Sequence, residues 1–199
     1  LPIRQRSVEE FTYSTPHLFK RHHMQYFGNK GRELLISELF YGSLPDWQGD
    51  PMVLLIDKCL EQEVTDVKQI AYVLATAYHE SNRFKAKEEY GKGRKHIYGK
   101  PINIWRKKKN SFHGRGWVQL TWLGNYGQFT ARLSSIMGRE IDLINDPDLI
   151  LKQDDINAYI TVVGMKEGLF TGKSLNDYIG DDYVSARCVV NGTDNASLN

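Results

Sequence analysis

Apolar residues recur at three- and four-residue spacing through "DVKQIAYVLATAYHESNRF", where Ile70, Val73, Leu74 and Ala77 form one stripe. That period predicts an amphipathic helix from Asp66 to about Phe84. Asp66 can cap the free amides of the first turn, and Gln69, three residues on, can reach back as in a capping box. Glu80 falls on the continuation of the stripe, so a carboxylate is placed at the core-facing end of a helix. The same reading finds a short helix in "GRELLISELFYG" and another in "DPMVLLIDKCLEQE", with Pro51 near its first turn. A further helix follows "GNY", with Phe129, Leu133 and Ile136 on one side and Gly138 placed to end it. Ile156, Tyr159, Ile160 and Val163 predict one over roughly Asp154 to Glu167, before Gly168. A short helix can begin at Ser174, and "DDYVSARCVVNG" reads as the last. Residues 91 to 113, with Gly91, Gly93, Gly99, Pro101 and "WRKKKN", have the composition of loops or a short hairpin. Residues 1 to 30 show no clean period and read as an irregular arm. The sum is a mainly α chain with long loops in its middle and no internal repeat.

At 199 residues and 41% hydrophobic, the chain can bury one good core. Lysine and arginine total 26 against 24 acidic residues, so bulk charge gives no general attraction to nucleic acid. The longest apolar runs, such as "MVLLI", are far short of the ~20 residues of a membrane span. No basic and apolar leader opens the sequence, and its first residue is Leu1 rather than Met, so it carries no reading on export. Cys59 and Cys188 are too few for a disulfide scaffold; two buried thiols or one long-range bridge both fit.

Several motifs fall short of the chemistry they suggest. "HESNR" has the His-Glu of a zinc protease helix, but Arg83 stands where the second histidine belongs. "GLFTGKS" is one residue too short for a phosphate loop, and no strand precedes it. The "RHHM" pair, His22 and His23, has no carboxylate or cysteine at ligand spacing. No metal or other cofactor is therefore expected. "GKGRKH" and "WRKKK" could grip phosphates with Trp105 stacking a base, yet a solvated loop or a surface for an acidic polymer explains them equally.

The carboxylates are more informative. Glycosidic hydrolysis needs one carboxyl that keeps its proton and a second, ionised one that activates water or attacks. Glu80 at the buried end of an apolar stripe suits the acid, because burial disfavours its charged form. Glu88 or Glu89, near Lys85, Lys87 and Lys92 in a loop, suits the base. Spacing alone also allows surface glutamates paired with lysines.

Six blocks in order, "AYVLATAYHESNRF", "EEYGKG", "FHGRGWVQLTWLGNY", "LINDPDLIL", "GMKEGLFTGKSLNDY" and "VVNGTDNA", resemble the glycoside hydrolase family 19 chitinases and chitinase-like endolysins over about residues 66 to 196. The resemblance implies a lysozyme-like, two-lobed helical fold with a substrate cleft, and an inverting reaction. It implies Glu80 as general acid and Glu89 as general base, with Glu88 the fallback. Thr121 would hold the attacking water with Glu89, Gln119 and Asn125 would bond the sugar, and Asn191 would be a further substrate-side asparagine. Trp117, Trp122 or Tyr126 could offer flat faces to pyranose rings, with at least one of them in the core. The chain departs from the family at His113, where an aromatic is common, and in the "SNR" after "HE". The implied division is an arm or accessory segment over 1–50 and a catalytic domain over 51–199. The implied protein is a monomer that cuts β-1,4 bonds of an N-acetylglucosamine polymer at the cell envelope, peptidoglycan in preference to chitin.

Overall fold

In the computed structural model, residues 45–104, 108–178 and 183–191 are described. The expected arm up to residue 44, the "GRELLISELFYG" helix, the "RHHM" pair and Trp105 lie outside them. The elements run α1 (Asp46–Glu61), α2 (Val67–Glu80), β1 (Ile102–Asn103), β2 (Lys109–Asn110), α3 (Leu123–Met137), α4 (Leu149–Lys152), α5 (Asp154–Glu167), α6 (Tyr183–Ala186) and α7 (Cys188–Asn191). Short 3₁₀ turns occupy Tyr90–Gly93, Ile97–Gly99 and Leu175–Tyr178. The protein is mainly helical, as the periodicity predicts, and β1 and β2 form the short antiparallel hairpin expected in the central loops.

Helix α5 is the axis of the packing. Every residue from Ile156 to Met165 is buried, Asn157 and Thr161 included, so the helix is covered all round rather than on one stripe, and neighbours must lie on both sides. Ala158, Val162 and Met165 join Leu55 and Cys59 of α1 and Val73 and Ala77 of α2 in one cluster. Ile156, Tyr159, Ile160 and Val163 join Phe129 and Leu133 of α3, with Ile141 and Leu143, in a second. Truncating one such wholly buried aliphatic residue to alanine costs about 2–5 kcal/mol. Lys58 of α1 is itself buried, and it reaches Glu61 at 2.8 Å and Asp155 of α5 at 3.2 Å. Pairing answers the desolvation that an isolated buried ammonium would suffer.

Local signals set most helix ends. Asp66 caps α2 by accepting from the Lys68 and Gln69 amides, at 2.7 and 3.2 Å. The reciprocal half of the capping box is not made, because the Gln69 side chain instead donates to Asn176 at 3.1 Å. Gly138 and Gly168 end α3 and α5 in the left-handed conformation. Three boundaries differ from expectation. Helix α1 starts at Asp46, so Pro51 lies inside it rather than in its first turn. Helix α2 stops at Glu80, short of Phe84. The Ser81 hydroxyl donates back to the Ala77 carbonyl at 2.5 Å and accepts from the Phe84 amide at 2.9 Å. Asn82, Arg83 and Phe84 then take positive φ and fold the Phe84 ring into the core. The final expected helix is two short pieces, α6 and α7, broken at Arg187.

Both cysteines are buried and free, so the long-range bridge does not form. Burial pushes the Cys59 thiol up to about 12. Among the described residues, no helix is long and apolar enough to cross a membrane.

Candidate functional site

The segment after α2 pairs with the "FHGRGWVQL" segment. Glu89 N–H donates to the Gly114 carbonyl at 2.9 Å, Gly116 N–H donates to the Lys87 carbonyl at 2.7 Å, and Arg115 exchanges backbone bonds with Leu120. The pairing is anchored to α5, where Asn157 Oδ1 accepts from the Trp117 amide at 2.8 Å. Successive side chains of an extended chain point to opposite faces, so Glu88 and Glu89 are sent different ways.

Glu89 sits in a closed cradle. One carboxylate oxygen accepts from the Tyr98 hydroxyl at 3.0 Å and the other from the Gly114 amide at 3.0 Å. Two glycines make this approach possible. A Cβ on Gly114 would lie 2.7 Å from Gln119 Oε1 and 3.2 Å from the Glu89 Cβ; one on Gly93 would lie 2.8 Å from Glu89 Oε2 and 2.5 Å from the Tyr98 ring. Gln119, at φ +52°, thus places its amide beside Glu89, with Nε2 donating to the Gly116 carbonyl at 3.0 Å. Burial, the hydrogen bond to Glu89 and the Glu89 charge all push the Tyr98 phenol above its ordinary range, so it stays a neutral donor. Tyr98 stacks on His96 and meets the Trp122 ring edge to face at 5.2 Å. Trp122, half exposed, extends this aromatic surface to solvent.

Glu88 is held by other partners. His113, 1% exposed, bridges Ser111 Oγ and Glu88 Oε1, each at 2.9 Å, and Lys92 reaches the same Glu88 oxygen at 3.2 Å. Glu88 can only accept, so His113 donates from Nε2 and receives the Ser111 hydroxyl at Nδ1. Burial alone would raise Glu88, but the bonds from His113 and Lys92 outweigh it and hold the carboxyl below its usual range. Burial depresses His113 and outweighs the pull of Glu88.

Glu80 ends α2 in a half-buried position, nearer to solvent than the core-facing place its stripe predicts, because the helix stops there. It accepts from Asn191 Nδ2 at 3.0 Å. Thr121 is half-buried, and its carbonyl accepts from Asn125 Nδ2 at 2.9 Å. No hydrogen bond joins Thr121 to Glu89 among the described residues. Tyr126, expected at the sugar, is a correction: it is 0% exposed, packs edge to face on Phe112, and its hydroxyl donates to the His113 carbonyl at 2.8 Å. Trp117 is equally buried, which leaves Trp122 as the exposed ring of the three. Sequence reasoning missed Tyr98 and the Gly114 amide as partners of Glu89. Nothing in the spacing of "GRKHIYGK" points to Tyr98, whereas His113 was visible as a polar residue where an aromatic is common.

Together these residues offer two carboxylates at either end of the 81–88 loop, an amide and a hydroxyl near one of them, and an aromatic ledge. No family model matches the chain. An endochitinase of Arabidopsis thaliana is 32% identical over 90 residues, which are 45% of this chain and 29% of the plant protein. The match thus spans less than a third of that relative, and it supports a chitinase-like relationship.

Proposed function

We propose that the protein is an inverting glycoside hydrolase of the family 19 type, cutting β-1,4 bonds in a polymer that contains N-acetylglucosamine, peptidoglycan in preference to chitin. The observation that carries this reading is the contrast between its carboxylates. Glu89 is oriented by Tyr98 and the Gly114 amide next to the Gln119 amide and exposed rings, while Glu80 stands apart, held by Asn191 alone among its described hydrogen-bond partners.

In the proposed reaction Glu80 protonates the leaving glycosidic oxygen while Glu89 takes a proton from water that attacks the opposite face of the ring. Thr121 helps hold that water. Gln119 and Asn125 bond hydroxyl and acetamido groups, which neutral side chains satisfy at small desolvation cost. Trp122 replaces Tyr126 as the ring that meets sugar. Room for the water requires carboxyls ~6.5–9.5 Å apart. The preference for peptidoglycan follows from the basic stretches "GKGRKH" and "KKK", which favour approach to anionic envelopes. The protein would act there as a monomer, released at lysis or exported.

Clearing of purified cell walls and of colloidal chitin, with analysis of the new ends, tests the reading. The expected product is the α-anomer, and Glu80→Gln and Glu89→Gln each lose about 10²–10⁴-fold in rate with an unchanged circular dichroism spectrum. A β-anomer would mean retention, and an anhydro end would mean a lytic transglycosylase. If wild type and Glu80→Gln bound the polymer equally and neither cut it, the chain would be a binding relative rather than an enzyme.

A further inference from the structure

A cavity of about 330 Å³ opens between the central loops and the turn that precedes α4. It is lined by Lys92, Lys108, Lys109 and Arg115, by the His113 ring, and by the turn 145–148. None of Glu80, Glu89, Gln119, Thr121, Asn125 or Asn191 lines it. His113, whose ring lines the cavity, is bonded to Glu88, the residue next to Glu89 in the chain.

The charges around this cavity do not cancel. Arg115 Nε bonds Asp148 at 2.9 Å, Lys92 meets Glu88 at 3.2 Å, and Asp146 is met by Lys152 at 3.1 Å. Each of these carboxylates therefore has its own cation. Lys108 donates to the backbone carbonyl of Asn145, and Lys109 has no carboxylate partner among the described residues. Lys108 also lies within the field of the Asp142 carboxylate, which bonds Asn145 beside the cavity, so Lys109 is the positive charge left over. On the floor, Arg115 is 4% exposed; its Nη1 bonds the Ser111 carbonyl at 3.0 Å and the Tyr126 hydroxyl at 3.1 Å. Its Nη2 has no acceptor among the described residues, so a buried guanidinium keeps donors in hand. With Nε and Nη1 already engaged, Nη2 can donate to one oxygen of a carboxylate or phosphate, a charge-assisted bond.

The walls are fixed in advance. Asn110 Nδ2 donates to the carbonyls of Ile144 and Asn145, at 2.8 and 3.1 Å, and Asn145 Nδ2 donates to Asp142 at 2.6 Å. These bonds fasten the hairpin to the opposite turn, so little ordering is left for a ligand to cause.

We propose that this cavity binds an oxyanion, a carboxylate or a phosphate, carried by the polymer on which the neighbouring site acts. The assignment of the polymer rests on the proposed function: chitin is neutral, whereas peptidoglycan carries stem-peptide carboxylates and attached wall polymers carry phosphodiesters. The cavity would thus add a charge requirement to a site that reads sugars through neutral groups.

Calorimetric titration of the whole chain at low salt tests this, using muramyl dipeptide, glycerol 3-phosphate and neutral diacetylchitobiose. An anion is expected to bind, more weakly as salt rises, and a Lys108→Ala/Lys109→Ala variant is expected to weaken it about tenfold without changing diacetylchitobiose affinity. Both lysines are exposed, so the variant should fold; a matching melting temperature checks this, and Lys109→Glu alone is the second variant, expected to weaken binding further than Lys109→Ala. Muramyl dipeptide binding alone identifies the carboxylate source, and glycerol 3-phosphate binding alone a phosphate source. Binding of neither anion, or anion affinity that the variants leave unchanged, overturns the proposal. Equilibrium binding is read apart from turnover, so a protein that cuts no polymer yet binds the anion refutes only the hydrolase reading.

Discussion

Replacing Tyr126 by phenylalanine removes one oxygen and keeps the ring. The ring's contact with Phe112, at 5.0 Å between centroids, survives, so the loss is confined to two hydrogen bonds. One is donated to the His113 carbonyl at 2.8 Å and one is accepted from Arg115 Nη1 at 3.1 Å. Burial, only partly offset by Arg115, pushes the phenol up to about 12, so the group is neutral throughout the working range. Arg115 Nη1 keeps the Ser111 carbonyl and lies 3.4 Å from the His113 carbonyl, so part of the loss can be recovered by closing that gap. The expected cost is about 1–3 kcal/mol. For a chain of this size, that lowers the melting temperature by roughly 2–12 °C. Thermal melts, with KM measured on soluble oligosaccharide well below the transition, separate packing from contact. Core packing predicts a lowered melting temperature with KM within about twofold. Trp122→Ala should do the opposite, raising KM with stability changed by no more than about 0.5 kcal/mol. A Tyr126→Phe protein that melts as wild type yet has a several-fold higher KM would refute the burial argument.

Asp66→Ala should cost about 1 kcal/mol in urea unfolding, because two amides of α2 lose their acceptor; no change would mean the cap is made by water equally well. Acidification should lower stability in two stages. His113 is depressed, so as pH falls through its ordinary 6.5 the unfolded chain takes up a proton that the folded chain refuses. Glu88 is depressed too, so its contribution is complete above its ordinary 4.5 and is lost as pH falls through the lower folded value. Melting temperatures that stay flat from pH 8 to 5.5 would contradict the first stage. Cys59 and Cys188 should resist iodoacetamide in the native protein and both react in denaturant, as read by intact mass.

Signals that act within one helical turn were legible in the sequence. Asp66, Gly138 and Gly168 set helix ends through their own backbone chemistry, and the stripe of Ile156, Tyr159, Ile160 and Val163 located α5 with its ends. The full burial of α5 was less legible, because a stripe marks one face and says little about a second set of neighbours. Ser81 was opaque: its bond back to Ala77 ends α2, but serine at that place can equally continue a helix. Tyr126 and Trp122 lie four residues apart, and their opposite fates depend on positive φ at Gln119 and Trp122, which no residue type there announces. Glu88 and Glu89 were interchangeable in sequence, and only the pairing with 113–115 gave them separate partners.

The two apolar clusters share α5, and this makes them one cooperative unit rather than two. Removing α5 from either cluster removes it from both, so neither half has a partly folded form with its core intact. The amides of α5 should exchange with solvent only through complete unfolding, whereas the described loop residues 94–104 and 108–111, with few buried side chains, can open alone. The Glu89 cradle spans that divide. Its Gly114 side is tethered to the slow unit through Asn157, and its Tyr98 side belongs to the fast one, so opening of the loop releases one oxygen of the carboxylate while the other stays bound.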